Sequence, residues 1–259
     1  MSTSRTEHDF LGERLLPDSA YYGIQTLRAI ENFAITGISI NTEPLFVQAL
    51  AYVKKGAALA NKELGVLPAN IADAIAAACD RVATGEFNSQ FLTDMIQGGA
   101  GTSVNMNANE VIANVALEIM GHAKGEYQYC HPNNHVNCSQ STNDAYPTAF
   151  RIALNNKLVG YRETLGALAD AFALKGDEFR DILKMGRTQL QDAVPMSMGD
   201  EFRAFATNLR EELLRIDDSR RLIDEINMGA TAIGSRINAP EGYPALVTKA
   251  LLSDTTKTG

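Results

Sequence analysis

The chain has only three cysteines in 259 residues, Cys79, Cys130 and Cys138, too few and too scattered to staple a fold. Their scarcity excludes a disulfide scaffold and fits a reducing cytoplasm. No apolar run approaches the roughly 18 residues that a membrane helix needs. The first residues, MSTSRTEHDFLGE, have no apolar core and carry acids early, so neither a signal peptide nor a transit peptide is expected. Basic excess is missing as well: Lys and Arg total 23 against 31 Asp and Glu, a formal net charge of −8. A nucleic-acid partner needs a basic face and is excluded on that balance. A small anionic ligand is not, because local dipoles can hold one. Also absent are a dinucleotide fingerprint, a nucleophile elbow and paired carboxylates spaced for acid–base work.

What is present is helical. The composition, 45% hydrophobic and 21% charged, is that of a globular protein of one large domain or two ordinary ones. Residues 1–40, punctuated by Gly12, Pro17, Gly23 and Gly37, read as irregular. A helix is expected from Pro44 to Gly65, a second from Pro68 to Gly85 with Ile71, Ile75, Ala78 and Val82 on one face, and a third from Thr102 or Ser103 to Gly121 with Val111, Val115 and Ile119. Two longer patterns follow. From Asp144, Phe150, Leu154, Leu158, Tyr161, Leu165, Leu168 and Phe172 form one stripe, with Pro147 read as lying in the first turn. From Ser197, with Asp200 completing a capping-box-like start, Phe202, Phe205, Leu209, Leu213, Ile216 and Ile223 form another. Two long helices joined by about twenty residues read as bundle neighbours. No run of alternating strands is apparent. A boundary near 135–143 divides residues 1–140 from 141–259, and residues 229–234 read as a small-residue loop.

Three segments stand out: Gly98-Gly99-Ala100-Gly101-Thr102-Ser103, Gln140-Ser141-Thr142-Asn143-Asp144 and Gly186-Arg187-Thr188-Gln189-Leu190-Gln191-Asp192. Each reads as a small-residue or hydroxyl-rich stretch just before a helix. Helix N-termini leave N–H groups without partners and favour anions, so three of them would surround a small carboxylate without a basic pocket. Taken singly, each also fits a plain helix cap, with Thr102 or Ser103 capping the first. Residues 130–138 hold two thiols and two imidazoles, but their spacing matches no standard zinc site. The stretch reads as a polar turn guarding the approach to Ser141, with no metal. His8 and His122 are isolated and receive no chemistry.

Residues 16–23, 26–33, 98–107, 124–127, 140–144 and 184–196, taken in order, resemble the fumarase/aspartase superfamily along essentially the whole chain. Gln189, where fumarases carry His, looks like the aspartase branch. The resemblance implies a mainly α fold: an N-terminal helical domain, residues 1–140, then the first, incomplete part of a long-helix central bundle, residues 141–259. It implies a homotetramer with sites built from several subunits, and reversible deamination of L-aspartate to fumarate through an enediolate-like species. By matched motif positions, Thr102, Ser141 and Thr142 are expected on the β-carboxylate, Thr188 on the α-carboxylate, and Asn143 with Gln189 on the amino group. No organic cofactor is implied, and magnesium enters only as an activator of some relatives. The family's general base is a serine in a glycine- and serine-rich loop followed by a Met-Pro-Lys-Asn-type run, which residues 1–259 lack. The chain is therefore expected to be a fragment, inactive alone. It departs from the pattern at Arg236, which stands at a glycine place in residues 234–238. The competing expectations are a fumarate hydratase and a non-catalytic helical bundle.

Overall fold

The computed structural model describes residues 4–255. It is mainly α: strands β1 (Ser4–Asp9) and β2 (Gly12–Pro17), helices α1 (Ile24–Asn32), α2 (Pro44–Glu63), α3 (Ala69–Ala83), α4 (Thr102–Ile119) and α5 (Thr142–Glu178), strands β3 (Leu183–Thr188) and β4 (Gln191–Ser197), then α6 (Met198–Ile223) and α7 (Tyr243–Thr255). These elements form two compact units, one within Met1–Ala153 and Ile226–Gly259, the other within Leu154–Glu225. The division expected at 140–141 falls inside the first unit.

Ser4–Asp9, Gly12–Pro17 and Ile24–Asn32 form regular elements, against the irregular reading. β1 and β2 make an antiparallel hairpin running from Ser4↔Pro17 to Asp9↔Gly12. Its pattern is masked in sequence because an inward-facing residue, Glu7, is charged. Glu7 accepts from Arg5 Nε at 2.8 Å and from the Ile24 N–H at 2.9 Å, so its burial is compensated. Glu110 on α4 serves the same helix start, accepting from the N–H groups of Gly23, Gln25 and Thr26 and from Thr26 Oγ1. Negative charge at the N-terminus of α1 suits the helix dipole. Gly23 is required by this approach, since a Cβ there would lie 2.7 Å from the Glu110 carboxyl carbon.

Helix α2 is the centre of the first unit and packs against α3, α4 and α7. Its Val47, Leu50, Val53 and Ala57 meet Ile75 and Val82 of α3, Val111 and Ile112 of α4, and Val247 and Leu251 of α7 in one core. Helix α4 is buried nearly all round, polar residues included. Asn107 donates to the Gln90 carbonyl and Asn114 to the Tyr21 carbonyl, so its amides staple the surrounding loops. Ile119, expected on its apolar face, is exposed.

In the second unit the later turns of α5 run antiparallel to α6, as the pairs Asn155–Arg220, Arg162–Asp217, Asp170–Arg210 and Phe172–Phe202 require. The stripes are only partly covered: Tyr161, Leu168 and Phe205 are exposed, because a two-helix layer shields one side alone. Ser197 caps α6 as expected, its Oγ accepting from Gly199 N–H at 3.0 Å, whereas Asp200 pairs with Arg203. β3 and β4 pair antiparallel as a hairpin closed by Gln189 and Leu190, with φ of 49° and 64°.

Candidate active site

The N-terminus of α5 carries the densest polar cluster. Ser141 Oγ accepts from the Asn143 N–H at 3.2 Å, and Asp144 Oδ1 accepts from the Ser141 N–H at 2.9 Å. The two contacts make a reciprocal capping box, the plain helix cap that the segment also fits. It does more than end a helix. Thr142 Oγ1 accepts from Asn105 Nδ2 at 3.1 Å. Both hydroxyls thus have a lone pair engaged from behind, and among the described hydrogen bonds neither donates. A hydroxyl held this way turns its proton outward, toward an acceptor such as a carboxylate oxygen. Asn143 is exposed and donates through Nδ2 to the Ala232 carbonyl at 3.1 Å.

Beneath the cluster sits a residue that the motif reading passed over. Lys54 of α2 is fully buried, its Nζ donating to Asn105 Oδ1 at 2.6 Å, Asn137 Oδ1 at 2.9 Å and Gln140 Oε1 at 2.9 Å. Burial pulls its pKa down to about 7, while Asp144 pushes the other way. Asn105 hands the contact on to Thr142, so the ammonium orients the cluster through one amide. Lys54 had a signal in the sequence: it falls on the buried helical stripe Leu50, Lys54, Ala57, Asn61, where a solvated lysine has no place.

Thr102 opens α4 and is exposed. Neither Thr102 nor Ser103 caps that helix, contrary to expectation. The cap position is Gly101, at φ 90°, and Gln97 Oε1 accepts from the Val104 N–H at 2.8 Å. The Thr102 hydroxyl has no hydrogen-bond partner among the described residues. A Cβ on Gly101 would overlap the Tyr146 ring, so glycine lets residues 98–101 pack onto the first turns of α5. Thr102, Ser141, Thr142 and Asn143 therefore lie in the same compact unit. Thr188 and Gln189 lie in the other, exposed at the β3–β4 turn. The third segment is accordingly a strand and a hairpin turn, not a helix start. Arg187 and Thr188 pair with Asp192 and Gln191 of β4 before any helix begins, and Gly186 falls at a break in the register.

The 130–138 stretch is a turn, as read. Its Pro132–Val136 forms one π-helical turn in which His131 Nδ1 accepts from the N–H groups of Asn133 and Asn134, and His135 Nδ1 from the His131 N–H. Burial holds both imidazoles below their usual pKa. Among the described residues no three His, Cys, Asp or Glu side chains gather as a metal site. Arg236 has φ 60°, a left-handed backbone position, at the place where the resemblance leads one to expect glycine.

A family model described as lyase matches residues 12–258. The chain belongs to this lyase family. It is 56% identical over 248 residues to an aspartate ammonia-lyase of Escherichia coli (strain K12), covering 95% of this chain and 52% of that protein. The chain spans about half the length of the curated relatives it matches. Among solved structures, a fumarate lyase:delta crystallin from Brucella melitensis bound to cobalt superimposes with a TM-score of 0.92 at 52% identity, over 98% of this chain and 55% of that one. A class II fumarase from Schistosoma mansoni gives 0.89 at 33% identity, over 99% and 54%. The lyase fold expected from the motifs is thus the fold observed.

Proposed function

We infer that this lyase chain supplies binding residues for the reversible deamination of L-aspartate to fumarate and ammonia. The observation that carries the reading is the pair of hydroxyls at the start of α5, Ser141 and Thr142, each engaged from behind and free to donate outward. Removing a proton beside a carboxylate builds a doubly charged enediolate-like species. Fixed neutral donors aimed at that charge each lower the barrier by about 3 kcal/mol or more in comparable sites. Ser141, Thr142 and Thr102 take the β-carboxylate, Thr188 the α-carboxylate, and Asn143 with Gln189 the amino group. None of these six side chains is assigned the proton, and the acceptor is a further group, the loop serine that the resemblance implies. Identity of 56% to an aspartate ammonia-lyase against 33% to a class II fumarase supports ammonia over water as the leaving group.

The proposal includes a homotetramer. The two-helix unit leaves Leu174, Leu214 and Leu222 exposed, apolar side chains that packing between subunits would cover. Residues 141–259 then form the first part of a shared bundle and residues 1–140 the domain before it. A cytoplasmic location accords with three free cysteines and with the finding that no described helix is long and apolar enough to cross a membrane.

The test follows fumarate absorbance on adding L-aspartate to the full-length protein, beside malate formation from fumarate. Deamination with little hydration supports the reading. Hydration faster than amination makes the protein a fumarate hydratase, and turnover of neither leaves a non-catalytic bundle.

A further inference from the structure

We propose that Asn227 and the Ala232 carbonyl form a positioning device for Asn143, which presents its side-chain oxygen, not its nitrogen, to the amine of the substrate. The inference rests on the deamination reading and adds how the site meets an ammonium group.

Pro147 lies in the second turn of α5, which begins at Thr142, and not in the first as expected. Having no N–H, it cannot serve the carbonyl four residues earlier, that of Asn143. Asn227 supplies the missing donor, with Nδ2 at 3.0 Å from the Asn143 carbonyl oxygen. The Asn143 side chain returns the contact to the same loop, Nδ2 donating to Ala232 O at 3.1 Å. Asp144 fastens that loop from beside it, Oδ2 accepting from the N–H groups of Gly229 at 3.1 Å and Thr231 at 2.9 Å.

A carbonyl oxygen only accepts, so the contact with Ala232 fixes which end of the Asn143 amide is which. Nδ2 is committed to the loop. Oδ1 is left as an acceptor on an exposed residue, with no hydrogen bond among the described residues. An ammonium group is donor-only and needs such an acceptor, whereas a carboxylate oxygen is repelled by it. The device therefore sorts the amine end of a substrate from its carboxylates. Pro147 makes it work: with an ordinary residue there, the Asn143 carbonyl would be satisfied inside the helix and Asn227 would be dispensable.

The experiment is a double-mutant cycle in the full-length protein, comparing wild type, Asn227→Ala, Pro147→Ala and the double variant. KM and kcat are measured for L-aspartate, and the inhibition constant for succinate, which has both carboxylates and no amine. Asn227→Ala is expected to raise the aspartate KM about five- to tenfold, the size of one neutral hydrogen bond, with succinate inhibition moving less than about twofold. Adding Pro147→Ala restores an N–H to the Asn143 carbonyl and should return KM to near wild type. Asn227→Asp, equal in shape but lacking the donor, repeats the loss if the alanine variant is poorly folded. Equal weakening toward both ligands, no weakening, or weakening that Pro147→Ala fails to repair would overturn the proposal. A wild type that leaves L-aspartate untouched would overturn the deamination reading itself, before any variant, and this inference with it.

Discussion

Replacing Lys54 by methionine in the full-length protein should change how stability depends on pH, by an amount the structure sets. The Lys54 pKa lies at about 7 in the fold against 10.5 for an ordinary lysine, chiefly through burial. A gap of about 3.5 pH units corresponds to roughly 5 kcal/mol at about 1.36 kcal/mol per unit. Between those two values the unfolded chain holds the Lys54 proton and the folded chain does not, so raising the pH favours the fold. The full penalty is present below about pH 7 and is relieved progressively toward 10.5. Methionine has similar length and no proton to lose. The unfolding free energy of wild type minus that of Lys54→Met should therefore be flat below about pH 6 and gain about 3 kcal/mol between pH 6 and pH 9. Contributions from groups shared by the two proteins largely cancel in the difference. Urea unfolding followed by circular dichroism at four pH values measures it, and Lys54→Gln, equally free of a titrating proton, substitutes if the methionine variant does not fold. A difference that stays constant from pH 6 to pH 9 would refute the reasoning, since Lys54 would then titrate like an exposed lysine.

Asn143→Ala in the full-length protein should lower kcat/KM for L-aspartate about tenfold or more, as expected for a lost hydrogen bond to a charged group, while succinate still inhibits; equal losses for both would remove Asn143 from the amine end. Gly101→Ala should destabilise by about 2–4 kcal/mol, combining overpacking against Tyr146 with a left-handed backbone position, and thermal unfolding reads it directly. Residues 1–259 expressed alone should release no fumarate from L-aspartate and should self-associate through the exposed face of α5 and α6, checked by absorbance and size-exclusion chromatography. A monodisperse preparation that turns over aspartate would mean that a base within these residues has been overlooked.

The helices were legible where a single rule governed them. Pro44 and Gly65 bracket α2, and Ser197 caps α6, because the start and stop of a helix depend on a few adjacent residues. The hairpins were not legible, for two different reasons. In β1 the residue turned inward is Glu7, whose partners come from Arg5 and from the start of α1. An alternation of polar and apolar residues cannot reveal a strand whose buried side chain is an acid. In β3–β4 the turn is Gln189-Leu190, with both residues in the left-handed region and neither an asparagine nor a glycine. Local sequence disfavours that turn, so the segment passed for the approach to a helix, and Thr188 for a helix-end ligand. The same limit hid Asn227 and the partners of Lys54, whose place on a buried stripe was the one visible sign of it. The reason for each lies in an unmet valence elsewhere, the three amide oxygens around Lys54 and the carbonyl that Pro147 leaves open. Motifs name the side chains that face a ligand. The side chains that hold those in place are chosen by which backbone and amide groups would otherwise go unpaired, and that accounting exists only once the chain is folded. Pro147 shows the connection most directly: read along the sequence it is a residue the helix tolerates, and read in the fold it is what gives Asn227 a function.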